Sequence, residues 1–509
     1  MLTLPLEPTD DRANPIFKDA AGCAQWLSQL QLTNLQLAHS KLLTQINELN
    51  RYPMRGLERI GILELLRDAV GYVQDELAKK LVAKPLPLNE SELMVFLSVV
   101  QLWQAMVTGY QRGLQDYIAG DKSLVEHGAL LCQRCLSYSG MKIFEHLRTG
   151  YECGPSLWRQ LHELYAFAEQ QGIHKSGVAD LLSGQQTSCV SSYVKTLLAC
   201  YANPAQMTRW QVQQMDRWLS GWSTAITVTC SYSLSKNDAQ PLAVDLSGTQ
   251  GLQGVAGLPD KDTLRYLAMV PLSKLLRVKT ILLQQGQTPL QAGLCDQQDS
   301  HACLEFLTFL HQCWCEDKHK RSFERRQVTL HAALGFSLDG IYAQLTGKPL
   351  QTRDSTEHVQ QPENWQIKNE SIMGACLIRD DVIGGRIRCK QLIALRTAQS
   401  FMLGAAVWAK VMINGKLQIG VKYLPGQPEA VCIRAINPSD LVAPAFLLSA
   451  LPSLKTPASL IVPRDWFQTG RVIEVLHQNG EIVVVQLGFS VEFGLDYQRV
   501  SFTILNPES

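Results

Sequence analysis

Lys318-His319-Lys320-Arg321-Ser322-Phe323-Glu324-Arg325-Arg326-Gln327-Val328-Thr329-Leu330-His331-Ala332 is the stretch at which the chain changes character. Before it, apolar residues recur every three or four positions. After it they recur every second position, the period of strands rather than helices. The switch predicts an α+β multidomain chain. A large all-α bundle or array of helical hairpins occupies 1–316, an antiparallel β-barrel follows over 317–435, and a β extension over 436–509.

Ile62, Leu65, Leu66, Ala69, Val70, Val73 and Leu77 give one apolar helical face. Pro85 and Pro87 interrupt it. Asn89 and Glu92 are spaced as a capping box, and the run Leu93–Val107 is apolar nearly all round, which predicts a helix in the middle of a bundle. Pro155 opens another helix that carries Trp158, Leu161, Leu164, Tyr165 and Ala168. A further pair brackets Asn203-Pro204. Ile226, Val228, Cys230 and Tyr232 alternate ahead of a polar Ser-Lys-Asn-Asp turn, which predicts a β-hairpin inserted near 224–246.

Beyond residue 320 the strand candidates are 327–336, 374–378, 392–395, 402–412, 417–424, 431–435, 459–462, 472–476, 482–487 and 499–505. Asn414-Gly415 between two of them is a strong hairpin signal. The polar segment 352–363 reads as an exposed loop.

The 509 residues are 46% hydrophobic with a net charge of +1. A near-neutral chain is unsuited to coating a nucleic-acid polymer, so any basic site must be local. No basic-then-apolar leader opens the chain and no run of about 18 apolar residues occurs, which predicts a cytoplasmic protein without a membrane span. The 14 cysteines follow no framework spacing and read as reduced thiols.

Arg321 and Arg325 stand four apart, with Lys320 and Arg326 beside them. Guanidinium forks suit a phosphate or the Hoogsteen edge of guanine, and they also stack on a base. Further on, Asn369 and Ser371 fall on the same side of an extended strand, where an amide and a hydroxyl can meet a purine edge. Gly374 allows a close backbone approach.

This pair of motifs, RxxxR and then [D/N]xSxxG, resembles the PilZ family of cyclic di-GMP receptors. The likeness continues as pattern through the Trp408 strand, the Asn414-Gly415 turn and Ile419-Gly420-Val421. It implies a ligand-binding barrel without chemistry of its own. Arg321 and Arg325 would grip phosphate and guanine, Asn369, Ser371 and Gly374 would complete the pocket, and Lys320 and Arg326 would add charge. It also implies a bacterial signalling effector in motility, attachment and biofilm, pili or exopolysaccharide, with the helical domain engaging another protein. The 43 residues between Arg325 and Asn369 exceed the family's usual spacing. The excess is expected in a helical turn at 338–347 and the loop 352–363. The rival reading is a protein-interaction scaffold whose barrel no longer binds nucleotide.

His301, Cys303, His311, Cys313, Cys315 and His319 invite a metal site. On one helix, however, His311 and His319 would sit about 12 Å apart, too far to share an ion. Cys132 and Cys135 form a lone CxxC without the second pair that a zinc ribbon needs. Neither group is read as a metal site, and neither a metal nor a cofactor is expected. No phosphate-loop, HExxH or GxSxG motif is present, so an enzyme is not expected.

Overall fold

A computed structural model describes all residues except 1, 5, 181–183, 234–238, 257, 260, 295–298, 317–323, 351–360, 437–441 and 506–509. The chain divides into two compact units. The first is 1–83 with 89–320, and the second is 84–88 with 321–509.

The first unit carries helices α1 (Ala20–Ser28), α2 (Leu35–Arg51), α3 (Gly56–Ala78), α4 (Glu90–Ile118), α5 (Gly128–Arg148), α6 (Pro155–Gln170), α7 (Cys189–Tyr201), α8 (Arg209–Trp222), α9 (Val270–Gln284) and α10 (Ser300–Cys315). α4 starts on the capping box that the sequence predicts. Asn89 Oδ1 accepts from Glu92 N–H at 2.9 Å, and Glu92 accepts from Asn89 N–H at 3.1 Å. It packs against α2, α3 and α5. By length and composition it could cross a membrane, yet half of its most apolar window is buried inside the unit.

α3 buries Ile62, Leu66, Ala69, Val70, Val73 and Leu77, but Leu65 is 40% exposed. Tyr110 Oη and both Arg134 and Arg67 converge on Glu64, which ties α3, α4 and α5 together through charge-assisted bonds. Burial raises the energy of the ionised Glu64, but its partners win and hold its carboxyl below the ordinary value.

The inserted β element differs from expectation. Short strands β1 (Val178–Asp180) and β2 (Gln185–Thr187) pair antiparallel. β3 (Val228–Thr229), β4 (Leu242–Asp245), β5 (Gln253–Gly254) and β6 (Leu264–Leu267) form a sheet in the order β3-β6-β4-β5. Among the described residues, then, 224–246 is not a hairpin: β3 pairs with β6, Val228 opposite Leu267 and Thr229 opposite Tyr266. Helix resumes only at α9.

The second unit holds two closed antiparallel barrels. The first contains β7 (Arg326–Phe336), β8 (Glu363–Ser371), β9 (Gly374–Arg379), β10 (Leu392–Arg396), β11 (Phe401–Val411) and β12 (Leu417–Tyr423), in the order β10-β11-β12-β9-β8-β7. Helix α11 (Leu338–Thr346) follows β7 where a helical turn is expected. The second barrel contains β13 (Pro428–Ala435), β14 (Val442–Leu448), β15 (Ser459–Pro463), β16 (Val472–Leu476), β17 (Ile482–Phe493) and β18 (Tyr497–Ile504), in the order β13-β14-β15-β18-β17-β16.

Two expected boundaries therefore move. The segment 428–435 opens the second barrel instead of closing the first, because β13 pairs with β14 and β16. The β extension is a closed domain with its own core of Val431, Ile433, Ala445, Val462, Ile473 and Val485. Residues 84–88, expected within the helical domain, belong to the barrel unit. Leu86 and Ile387 exchange backbone bonds at 2.9 and 2.7 Å, and Arg386 donates to the Pro85 and Pro87 carbonyls.

The two barrels share a buried seam. Ile341 and Tyr342 of α11 pack with Leu392, Leu403 and Leu424 of one barrel and with Phe446, Leu448 and Ile461 of the other. The turn after β17 adds polar links: Leu392 N–H donates to Asp496 Oδ1 at 3.0 Å, and Leu495 N–H donates to Lys390 O.

Candidate functional site

Ile367, Leu377, Ile419 and Val421 are buried inside the first barrel and mark its inward-facing positions. Simple alternation from Trp365 and Ile367 would turn Asn369 inward as well. A register shift between Ile367 and Asn369 prevents this, since Asn369 faces Cys376, which alternates with Leu377. A second shift lies between Gln327 and Leu330 on the adjoining strand, and Gln327 faces Asn369. Two bulges thus meet at one point and re-aim Asn369 to the outer wall.

There the Arg325 Nη1 donates to Asn369 Oδ1 at 2.8 Å. Both β7 and β8 have to be in register for the pair to form. The next β7 residue, Arg326, is exposed and stands opposite Glu370. Glu370 in turn accepts a bond from Tyr423 Oη at 2.6 Å, and burial together with that carboxylate pushes the Tyr423 phenol well up.

Ser371 and Gly374 close a tight turn between β8 and β9. Ser371 Oγ donates to Gly374 O at 3.2 Å, and Tyr423 N–H donates to Met373 O at 2.9 Å. A Cβ at Gly374 would run into the Val421 carbonyl oxygen, so β9 and β12 can approach this closely only with glycine there. The turn displays Ile372, 66% exposed, and Met373.

Of the sequence-predicted residues, Arg325, Asn369, Ser371 and Gly374 come together on adjoining strands, with Arg326 next to them. Lys320 and Arg321 lie outside the described residues, as does most of the loop 352–363. The long connection between the motifs leaves β7 and β8 paired from Arg326 to Leu334. The Glu370–Tyr423 bond and the paired bulges carry no local sequence signal.

Among the described residues, no group of three His, Cys, Asp or Glu side chains is placed to hold a metal ion. His311 instead meets Ser273 Oγ at 3.1 Å, Arg277 and Glu316. Cys132 and Cys135 are fully buried in α5, and burial pushes both thiols well up, the reverse of what a ligand or redox thiol needs.

Comparison with known proteins bears on the domains that flank this barrel. Residues 20–233 match the N-terminal domain of the cyclic-di-GMP receptor FimW, and residues 431–505 match the FimW C-terminal β-barrel domain. The cyclic-di-GMP receptor FimW of Pseudomonas aeruginosa is 21% identical to the chain, over 92% of this chain and 88% of its own length. The chain belongs to the FimW-type, PilZ-like receptor family. The family's C-terminal domain corresponds to the second barrel, nearly from β13 to the end of β18. Its N-terminal domain covers α1 to α8. The barrel with the RxxxR and NxSxxG motifs lies between the two matched stretches.

Proposed function

We propose that the chain is a cyclic di-GMP-binding effector, a receptor rather than a catalyst, working in the cytoplasm. One observation carries the reading. A guanidinium and a carboxamide are held against each other on the outer wall of a barrel, near a glycine whose missing Cβ lets β9 and β12 come close. Arg325 then offers donors to a phosphate or a guanine edge, Asn369 the rest of a purine-edge contact, and Ser371 a hydroxyl at the turn. Arg321, four positions before Arg325 in the sequence, supplies the second guanidinium, and Lys320 and Arg326 widen the positive field. Family membership supports the ligand class.

The output we assign to the helical unit, through a protein partner, in motility, attachment, pili or exopolysaccharide. Arg321 and Arg325 stand in the segment that joins helices to barrel, so a ligand gripping both ties that segment to the barrel wall.

Titration calorimetry of the full chain with cyclic di-GMP tests this. Binding at micromolar concentration or tighter is expected, with GMP binding far more weakly. No heat from folded protein would overturn it in favour of a scaffold whose barrel binds no nucleotide.

A further inference from the structure

Backbone pairing sets five outer-wall positions of the first barrel in one cross-strand row: Gln327, Asn369, Cys376, Gly420 and Trp408. At an inter-strand spacing of about 4.8 Å, Gly420 lies roughly 10 Å from Asn369 along this row. Gly420 has no side chain, and the space is taken by the Trp408 indole. A Cβ on Gly420 would overlap the indole Nε1 and Cε2. The ring therefore leans back across Gly420 toward β9, and it stays partly exposed. Among the described residues its Nε1 has no hydrogen-bond acceptor.

A bulge between Ala406 and Trp408 brings this about. Ala406 pairs with inward-facing Val421, Val407 is the extra residue, and Trp408 faces Gly420. It is the third bulge around the same stretch of wall. Cys376 at mid-row is covered, and burial pushes its thiol up, while the Gln418 amide, which donates to its Sγ at 3.2 Å, and then Arg325, Lys368 and Lys410 pull the other way. Three cations flank the row by position: Arg325, bonded to Asn369, Lys368, next to Asn369 on β8, and Lys410, two residues past Trp408 on β11.

We propose that Trp408 is a second base-stacking platform of the ligand site and takes the guanine that Arg325, Asn369 and Ser371 do not hold. This rests on the cyclic di-GMP reading above. A cyclic dinucleotide has two flat bases joined by two phosphates. One base at Asn369 puts the phosphates over Cys376, among the cations, and the other base over the indole. Stacking of this kind tolerates any large aromatic ring but not an aliphatic side chain.

The experiment is calorimetry of the full chain with cyclic di-GMP for wild type, Trp408→Phe and Trp408→Leu. Loss of a stacked base weakens binding about ten- to hundredfold, so Leu should fall in that range and Phe within about threefold of wild type. Leu and wild type within twofold would overturn the platform while leaving the ligand reading intact. No binding by wild type would overturn the ligand reading itself. Should Trp408→Leu misfold, wild type labelled with 5-fluorotryptophan gives the answer. The fluorine resonance absent from Trp408→Phe must shift on cyclic di-GMP addition, and a resonance that stays in place while the ligand binds refutes the platform.

Discussion

Arg325 and Asn369 are bonded at 2.8 Å across a sequence separation of 44 residues. The long connection therefore does not pull Arg325 away from Asn369; β7 and β8 pair again across it. Asn369→Ala should weaken cyclic di-GMP binding about ten- to hundredfold, the cost of one charge-assisted contact and a misplaced guanidinium. The pair is solvent-exposed, so melting of the unliganded protein should change by no more than a degree or two. A large drop in melting temperature would mean that the pair holds the barrel together and does not prepare a site.

Individual cations separate grip from diffuse charge. Arg325→Ala and Arg321→Ala should each weaken binding about ten- to hundredfold. Arg326→Ala should cost only a fewfold, because Arg326 faces Glu370 across the strands. Equal small losses for all three, each suppressed by 0.5 M salt, would show that the basic stretch acts only as a charge cloud.

Much of this wall was legible in the sequence because strand periodicity and the two motifs are local. Ten strand segments were readable, including those on either side of Asn414-Gly415, whose turn forms as the dipeptide predicts, with Asn414 Oδ1 accepting from Lys416 N–H at 3.1 Å. Two strands were less so. Only the Asn369–Ser371 end of β8 reads as extended, because the strand alternates only at Trp365 and Ile367 before its bulge, and β14 carries Pro444 and small alanines, poor strand formers that succeed here in the wall of a barrel. Closure of each barrel, the pairing of β3 with β6, and the bulges that turn Asn369 and Trp408 outward depend on partners tens of residues away. No window of sequence contains that information.

Gly374→Ala tests the close approach of β9 and β12. The added methyl meets the Val421 carbonyl, which is backbone and cannot swing aside. Overpacking of this kind costs about 1–3 kcal/mol. Hydrogen exchange should therefore quicken at Val421 and Lys422 and along β9, while α4 amides keep wild-type protection. Unchanged exchange in both strands would remove steric necessity as the reason for glycine.

Tyr423→Phe removes the hydroxyl that donates to Glu370 at 2.6 Å and leaves that carboxylate without its partner in a partly buried place. The expected loss is about 1–3 kcal/mol of barrel stability. Adding Glu370→Gln to Tyr423→Phe should recover part of it by removing the charge. If the double variant is less stable than the single one by the full cost of a second independent lesion, the two residues are not coupled.

Asp496 offers a test by pH. Its carboxyl accepts the Leu392 N–H at the junction of the barrels, and burial raises its pKa above the ordinary carboxylate value despite that bond. For an acid with a raised folded pKa, the folded state binds the proton more tightly than the unfolded state does. Ionisation therefore destabilises the fold, the penalty is fully present above the folded pKa, and it fades as pH falls toward the unfolded value. Asn at this position keeps an acceptor oxygen for Leu392 and carries no charge. Asp496→Asn should thus melt higher than wild type at pH 7, and the gap should close on acidification through the carboxylate range. A gap that is constant with pH, or that opens as pH falls, would show that the buried charge is not what strains this junction.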